Sequence, residues 1–274
     1  MKIADAIRDA TSRLAASSDT ARLDAELLMA HALEVSRSDL LLRHMADAVP
    51  ASFEALISRR EGHEPVAHIT GVQEFFGRPF AVTPDTLIPR GDSEVLIDVA
   101  LELAPTADRV LDLGTGSGAL LVTALLELGG AIGIGTDASG RALDIAERNA
   151  QSLGLIGAKA RFLLRDWTRP GWTDGLGTFD LILCNPPYVE TSADLDPQVR
   201  DHEPASALFA GVEGLDDYRV ILPQLRKLMS QEAVAVVEIG HNQAESVSEI
   251  ARNHGFATEI RHDLAKRPRA LVLR

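Results

Sequence analysis

Two hydrophobic rhythms divide the chain. Up to about residue 64, apolar side chains recur every three to four positions, the period of one helix face. Ile3, Ile7, Ala10 and Leu14 form one such stripe. Asp19 and Thr20 stand where they could cap a second helix over 21–33, with an apolar face through Leu23, Leu27, Ala30 and Leu33. Residues 36–45 predict a short third helix, and Pro50-Ala51-Ser52 opens a fourth over 52–62. Between 65 and 90 the rhythm breaks. Gly71, Gly77 and Pro79 flank Phe75, Phe76 and Phe80, which predicts a packed β-hairpin or extended linker. Beyond it, short continuous apolar runs alternate with amphipathic ones. Strands are predicted at 109–114, 131–137, 158–166, 179–187, 232–239, 257–264 and 269–274, with helices at 93–104, 118–128, 138–154, 216–229 and 242–255. Repeated βα units with apolar strands predict an α/β fold whose parallel sheet is covered on both faces. The closing pair of strands, joined by a short loop, implies an antiparallel edge strand. The expected organisation is a helical domain (1–64), a hairpin linker (65–90) and an α/β domain (91–274).

Composition narrows this picture. Hydrophobic residues make up 46% and charged residues 24%, the balance of an ordinary globular protein. No apolar run is long enough to span a bilayer, and the amphipathic N-terminal stretch carries acids early, unlike a signal peptide. The expectation is a cytoplasmic protein without membrane contact. Cys184 is the one cysteine, which excludes an internal disulfide, and no spacing of Cys and His suggests a metal site. Net charge is −13, and residues 1–70 hold 8 Lys and Arg against 11 Asp and Glu. Bare nucleic acid is therefore not the expected partner. The basic cluster Lys266-Arg267-Pro268-Arg269 reads as a solvated loop.

Candidate chemistry gathers at the predicted strand ends. The first ends in Asp112-Leu113-Gly114-Thr115-Gly116-Ser117-Gly118, a glycine turn leading into a helix, where backbone N–H groups can approach a ligand. The second ends in Asp137, at the distance where an acid meets ribose hydroxyls in such folds; the same residue could instead cap the following helix. Asp166-Trp167 ends the third, offering a purine a carboxylate and an indole face, unless Trp167 is a core residue beside Pro170 and Trp172. The fourth stops in Asn185-Pro186-Pro187-Tyr188. Each proline removes an N–H and fixes φ, so the corner is stiff. The Asn185 amide oxygen and the Pro186 carbonyl could converge on an NH₂ group of a planar π-system, with Tyr188 as an aromatic wall. Taken alone, the stretch is also an ordinary turn. Together, the strand ends describe a nucleoside site without a pyrophosphate requirement, which suits S-adenosylmethionine (AdoMet) better than a nicotinamide.

These motifs resemble those of class I AdoMet-dependent methyltransferases that modify nitrogen on planar groups. The stretches DTARLDAELLMAHAL (19–33), EGHEPVAHITGVQEFFGRPFAV (61–82), TLIPRGDSE (86–94), HEPASALFAGVEGLDDY (202–218) and VVEIGHNQ (236–243) further resemble the HemK/PrmC family, the peptide chain release factor N5-glutamine methyltransferases. The resemblance implies a Rossmann-like seven-stranded sheet with its last strand antiparallel and a small helical domain that docks the release factor. It implies that Gly114, Thr115, Gly116, Ser117 and Gly118 line AdoMet, Asp137 holds its ribose, and Trp167 lies at its adenine. Asn185, Pro186, Pro187 and Tyr188 would hold the glutamine of the Gly-Gly-Gln motif of a class 1 release factor. Asn185, Pro186 and Tyr188 would carry the catalysis, with Asn185 also touching the cofactor. The products would be methylglutamine and S-adenosylhomocysteine (AdoHcy), and the enzyme a monomer. The same chemistry on a ribosomal-protein glutamine, a DNA adenine methyltransferase and an inactive AdoMet-binding module are the rival readings. Two places depart from the family pattern: Gly91-Asp92-Ser93 stands for Pro-Glu-Thr, and His68 for a tyrosine.

Overall fold

Two units make up the chain. The computed structural model describes residues 1–155 and 157–274; Met1–Val72 with Leu195–His202 form one unit, Gln73–Asp194 with Glu203–Arg274 the other. In the first, α1 (Ile3–Leu14) buries its predicted stripe, Ile3, Ile7, Ala10 and Leu14, with Ala6 beside it. Helix α2 (Ala21–Ala32) presents the expected face only in part: Ala30 is buried and Leu33 packs against the core, but most of the buried residues lie on another side. Leu23 is 40% exposed, and Ala21, Asp24, Ala25, Leu28 and Met29 are buried. The helix is apolar on two sides, and the side carrying an acid faces inward because that acid is paired. Arg60 Nε donates to Asp24 Oδ2 (2.7 Å), and the hydroxyls of Ser18 and Thr20 donate to the same carboxylate. Thr20 thus binds Asp24 and makes no side-chain cap. A buried charge is tolerated only with such partners.

Ser36 caps α3 (Arg37–Asp39) by accepting from the Asp39 N–H, and the chain continues into a π-helical turn, Leu40–His44. Helix α4 (Phe53–Glu61) follows, then α5 (Val66–Thr70), a single turn where an extended linker was expected. Pro65 stands at its N-cap, and Gly71, at φ 77°, ends it in the left-handed region.

A hairpin follows, β1 (Val72–Phe75) and β2 (Arg78–Ala81), whose Phe75 and Phe80 rings meet edge to face. Then come α6 (Glu94–Leu103), β3 (Arg109–Leu113), α7 (Ala119–Leu128), β4 (Ile132–Asp137), α8 (Gly140–Ser152), β5 (Ala160–Leu164) and β6 (Phe179–Cys184). A short helix, α9 (Pro197–Arg200), belongs to the helical unit, where Arg60 Nη2 donates to Gln198 Oε1 (3.3 Å). The α/β unit resumes with α10 (Asp216–Leu225), β7 (Met229–Glu238), α11 (Ala244–Asn253), β8 (Thr258–His262) and β9 (Pro268–Leu273).

The seven main strands lie in the order β5-β4-β3-β6-β7-β9-β8. Strands β3 to β7 run parallel, and β9 is antiparallel to both its neighbours. The antiparallel strand is therefore not at the edge. It is inserted between β7 and β8, and the edge is β8. Burial explains the order: β9 reads PRALVL and is buried along its apolar length, whereas β8 reads TEIRH and is half-exposed. The central strands alternate between two cores. Val110, Leu181, Leu183, Val234 and Val236 face α6 and α7; Leu111, Leu113, Ile182, Ala235 and Val237 face α10 and α11. Both faces are covered, which is why these strands are apolar throughout.

Candidate active site

Register aligns the C-terminal ends of the strands. Leu113 pairs with Thr136 and Cys184, and Cys184 with Val237, so Gly114, Asp137, Asn185 and Glu238 emerge along one edge of the sheet. A cavity of about 380 Å³ opens there, toward the lower end of the roughly 300–1,000 Å³ typical of ligand pockets. Gly114, Thr115, Gly116, Ser117, Asp137, Trp167, Asn185 and Pro187 line it.

The glycine loop is shaped by its own contacts. Gly114, Gly116 and Gly118 all have positive φ, the last as the N-cap of α7. A Cβ at Gly114 would lie 3.0 Å from the indole of Trp167, and one at Gly118 3.1 Å from Ala146. Glycine is thus required for two close approaches, one to the ring that walls the cavity and one to α8. Gly118 serves this packing and does not line the cavity.

Asp137 does not cap α8. That role falls to Ser139, whose Oγ accepts from the Ala142 N–H (3.2 Å). The Asp137 carboxylate instead braces the loop, accepting from the N–H groups of Gly116 (2.9 Å) and Ser139 (2.8 Å). Burial raises its pKa, against the pull of these N–H donors. Beneath lies Asp112, 1% exposed, receiving the Thr115 hydroxyl at 2.6 Å. Burial pushes its carboxyl up to about 7, opposed by Thr115 and the backbone of Leu121 and aided by the charge of Asp137.

Trp167 lines the cavity and also packs against the α10 core, so both readings of it describe part of its surface. Its Nε1–H donates to Asp217 Oδ1 (2.6 Å), which fixes the ring plane. Trp172 lies in the core and donates to Gln224.

The Asn-Pro-Pro-Tyr corner divides. Asn185 and Pro187 line the cavity; Pro186 and Tyr188 do not. Tyr188, expected as an aromatic wall, turns toward the sheet, and its hydroxyl donates to Glu238 Oε1 (3.2 Å). Burial, then the charge of Glu238, raises the phenol pKa, and burial raises that of Glu238. The corner is held from behind as well: Gln243 Nε2 donates to the carbonyls of Tyr188 (3.0 Å) and Gly214 (3.1 Å).

Lining residues outside the strand ends were not singled out by their chemistry. Apart from Phe75 of the hairpin and Ala119, Leu120 and Ala142 of α7 and α8, they lie in two stretches, Asp85 to Ser93 and Pro204 to Ala207. Their signal was present in TLIPRGDSE and HEPASAL, quoted only as family marks. Arg90 and the backbone of Ile88 both meet Glu203, which joins these stretches. Asp92, in the departing segment, accepts from Arg269 (2.9 Å) and Arg267 (3.1 Å). The basic cluster is therefore not a plain solvated loop, since the Arg269 side chain is 9% exposed and ion-paired. Among the described residues no Cys, His, Asp and Glu group could hold a metal, and no helix is long and apolar enough to cross a membrane.

The chain is similar to known proteins along its length. Residues 5–71 match the PrmC N-terminal domain family, and residues 106–254 a methyltransferase domain family. A release factor glutamine methyltransferase of Cereibacter sphaeroides is 40% identical, with 100% of this chain and 99% of that one covered. One of Rhodospirillum rubrum is 39% identical, over 92% of this chain and 78% of that one. Among solved structures, a ribosomal protein L11 methylase of Lactobacillus delbrueckii subsp. bulgaricus superposes with a TM-score of 0.51 at 21% identity, over 74% of this chain and 89% of that one, a likeness of fold.

Proposed function

This chain belongs to the release factor glutamine methyltransferases, and we propose that it methylates the side-chain amide nitrogen (N5) of the glutamine in the Gly-Gly-Gln motif of class 1 peptide chain release factors. The observation that carries the reading is one cavity lined by the glycine loop, Asp137, Trp167 and the Asn185 corner, in a chain that matches these enzymes along its whole length. The residues present fit AdoMet. Gly114 and Gly116 leave backbone open to a ligand, the indole offers an adenine a face, and Asp137 offers ribose hydroxyls a carboxylate. When bound, AdoMet supplies a methyl group activated by a sulfonium.

The protein's own task is alignment. An amide nitrogen is a poor nucleophile, because its lone pair is delocalised into the carbonyl, so holding it in line with the methyl is where binding energy accelerates transfer. The Asn185 side-chain oxygen would accept from the glutamine NH₂ and stabilise positive charge growing on nitrogen, and Pro186, outside the cavity lining, would stiffen the corner that holds it. Pro187 would pack against the substrate amide. Tyr188 would act as the corner's anchor through Glu238 and not as a wall. Gly118 would support the loop through α8. No general base is required before transfer, and the proton can leave afterwards to water.

The helical unit would dock the release factor, and the enzyme would work as a cytoplasmic monomer. The test is to incubate the protein with AdoMet and a class 1 release factor and to map the product by mass spectrometry. One added methyl on the Gly-Gly-Gln glutamine is expected. A methyl found only on a ribosomal protein, or no transfer at all, would overturn the assignment.

A further inference from the structure

Arg90 is the only cationic side chain among the described residues that line the cavity; Asp85 and Asp137 are the anions. It sits on a strap whose two ends are tied on opposite sides of the glycine loop. Asp85, near its start, accepts from Arg141 Nη1 of α8 (3.2 Å), and Asp92, near its end, from Arg269 Nη2 of β9 (2.9 Å). In the sheet, β4 lies to one side of β3, and β6, β7 and β9 to the other. Arg90, two residues before Asp92, therefore belongs to the part of the strap remote from Asp137.

Its orientation is set by Glu203. The Glu203 carboxylate, 1% exposed, takes the Arg90 Nη2 donor on Oε1 and the Ile88 N–H on Oε2 (3.0 Å). A guanidinium carries five N–H donors in a rigid fork, and this contact engages one nitrogen. The rest of the fork remains on a half-buried side chain at the cavity wall.

We propose that Arg90 binds the α-carboxylate of the cofactor's amino-acid arm, with Glu203 as its positioning residue. The inference rests on the AdoMet reading above. A nucleoside with its ribose at Asp137 and its sulfur opposite Asn185 must send the amino-acid arm away from Asp137. The arm ends in a carboxylate, which loses water on entering the cavity and needs a paired donor there. Arg90 supplies the charge on that side, and a planar fork matches a carboxylate.

The experiment is calorimetric titration of the full chain with two ligands, AdoHcy and 5′-methylthioadenosine, which keeps the nucleoside and thioether but lacks the arm. In Arg90→Gln, the AdoHcy Kd is expected to rise roughly 10- to 100-fold while methylthioadenosine stays within about twofold. Glu203→Gln should give the same split at smaller size, a pattern that general loosening of the fold would not produce. If Arg90→Gln does not fold, Arg90→Lys takes its place, with AdoHcy weakened several-fold and methylthioadenosine unchanged. Equal weakening of both ligands, or undiminished AdoHcy binding, overturns the assignment of Arg90. A wild-type protein that binds neither ligand overturns the AdoMet reading itself, so the two failures are distinct.

Discussion

Asp112→Asn should stabilise this protein, by an amount that grows as the pH rises. Asp112 ends β3 beneath the glycine loop, fully buried, and burial pushes its carboxyl from 3.8 up to about 7. Between those values the folded chain holds a proton that the unfolded chain has released. Stability must therefore fall as pH rises through that window. Above it the penalty is complete and amounts to about 4 kcal/mol, taking about 1.4 kcal/mol for each pH unit of displacement. Asparagine has the same shape, carries no charge and keeps Thr115 as a partner, because a hydroxyl can donate or accept. The assay is urea unfolding of both proteins at about pH 5 and about pH 8.5. Part of the penalty is already present at the lower pH, so the gap between variant and wild type should widen by roughly 2–3 kcal/mol from the lower to the higher. The difference between the two proteins cancels the titration of every group they share. A gap that stays constant, or that narrows with rising pH, would refute the claim that burial lifts the Asp112 carboxyl toward neutrality.

Two further outcomes are expected. Asn185→Ala should reduce methyl transfer by about 10²–10³-fold while leaving the AdoHcy Kd within a few-fold; parallel loss of turnover and cofactor affinity would show that Asn185 does not act on the acceptor amide. Gly114→Ala places a methyl group 3.0 Å from the Trp167 ring at a φ of +71°. It should cost about 1–2 kcal/mol in backbone strain, lower the melting temperature by about 2–8 °C and weaken AdoHcy binding, and an unchanged melting curve would sink the steric argument.

What could be read in advance was local. The central strands are apolar on both faces because helices cover both, so their runs stand out without alternation. The glycine loop and the Asn-Pro-Pro-Tyr corner are contiguous, and their placement follows from ending adjacent parallel strands. What could not be read depended on partners distant in sequence. The face of α2 is legible only in part, because a second side also offers apolar residues and its buried acid, Asp24, is paired with Arg60, 36 positions away. Arg90 meets Glu203 across 113 positions, and Tyr188 turns toward Glu238, 50 positions away. The place of β9 was within reach: an unbroken apolar run argues for an interior strand, and the mixed charges of β8 for an edge.

Strand β9 also fixes the order in which the protein can be finished. It is made after both of its neighbours, β7 and β8, yet it belongs between them in the sheet, hydrogen-bonded on both sides. Until it arrives, β7 keeps a row of open backbone donors and acceptors, and β8 has no neighbour to join it to the rest. At roughly 5–20 residues per second, translation leaves that unpaired border exposed for seconds, a template for pairing with other nascent chains. The charged residues Glu259 and Arg261 in β8, and Pro268 at the start of β9, put interruptions along the segments waiting to dock. Residues 268–273, made after both strands they join, thus close the one ladder that β7 and β8 leave open between them.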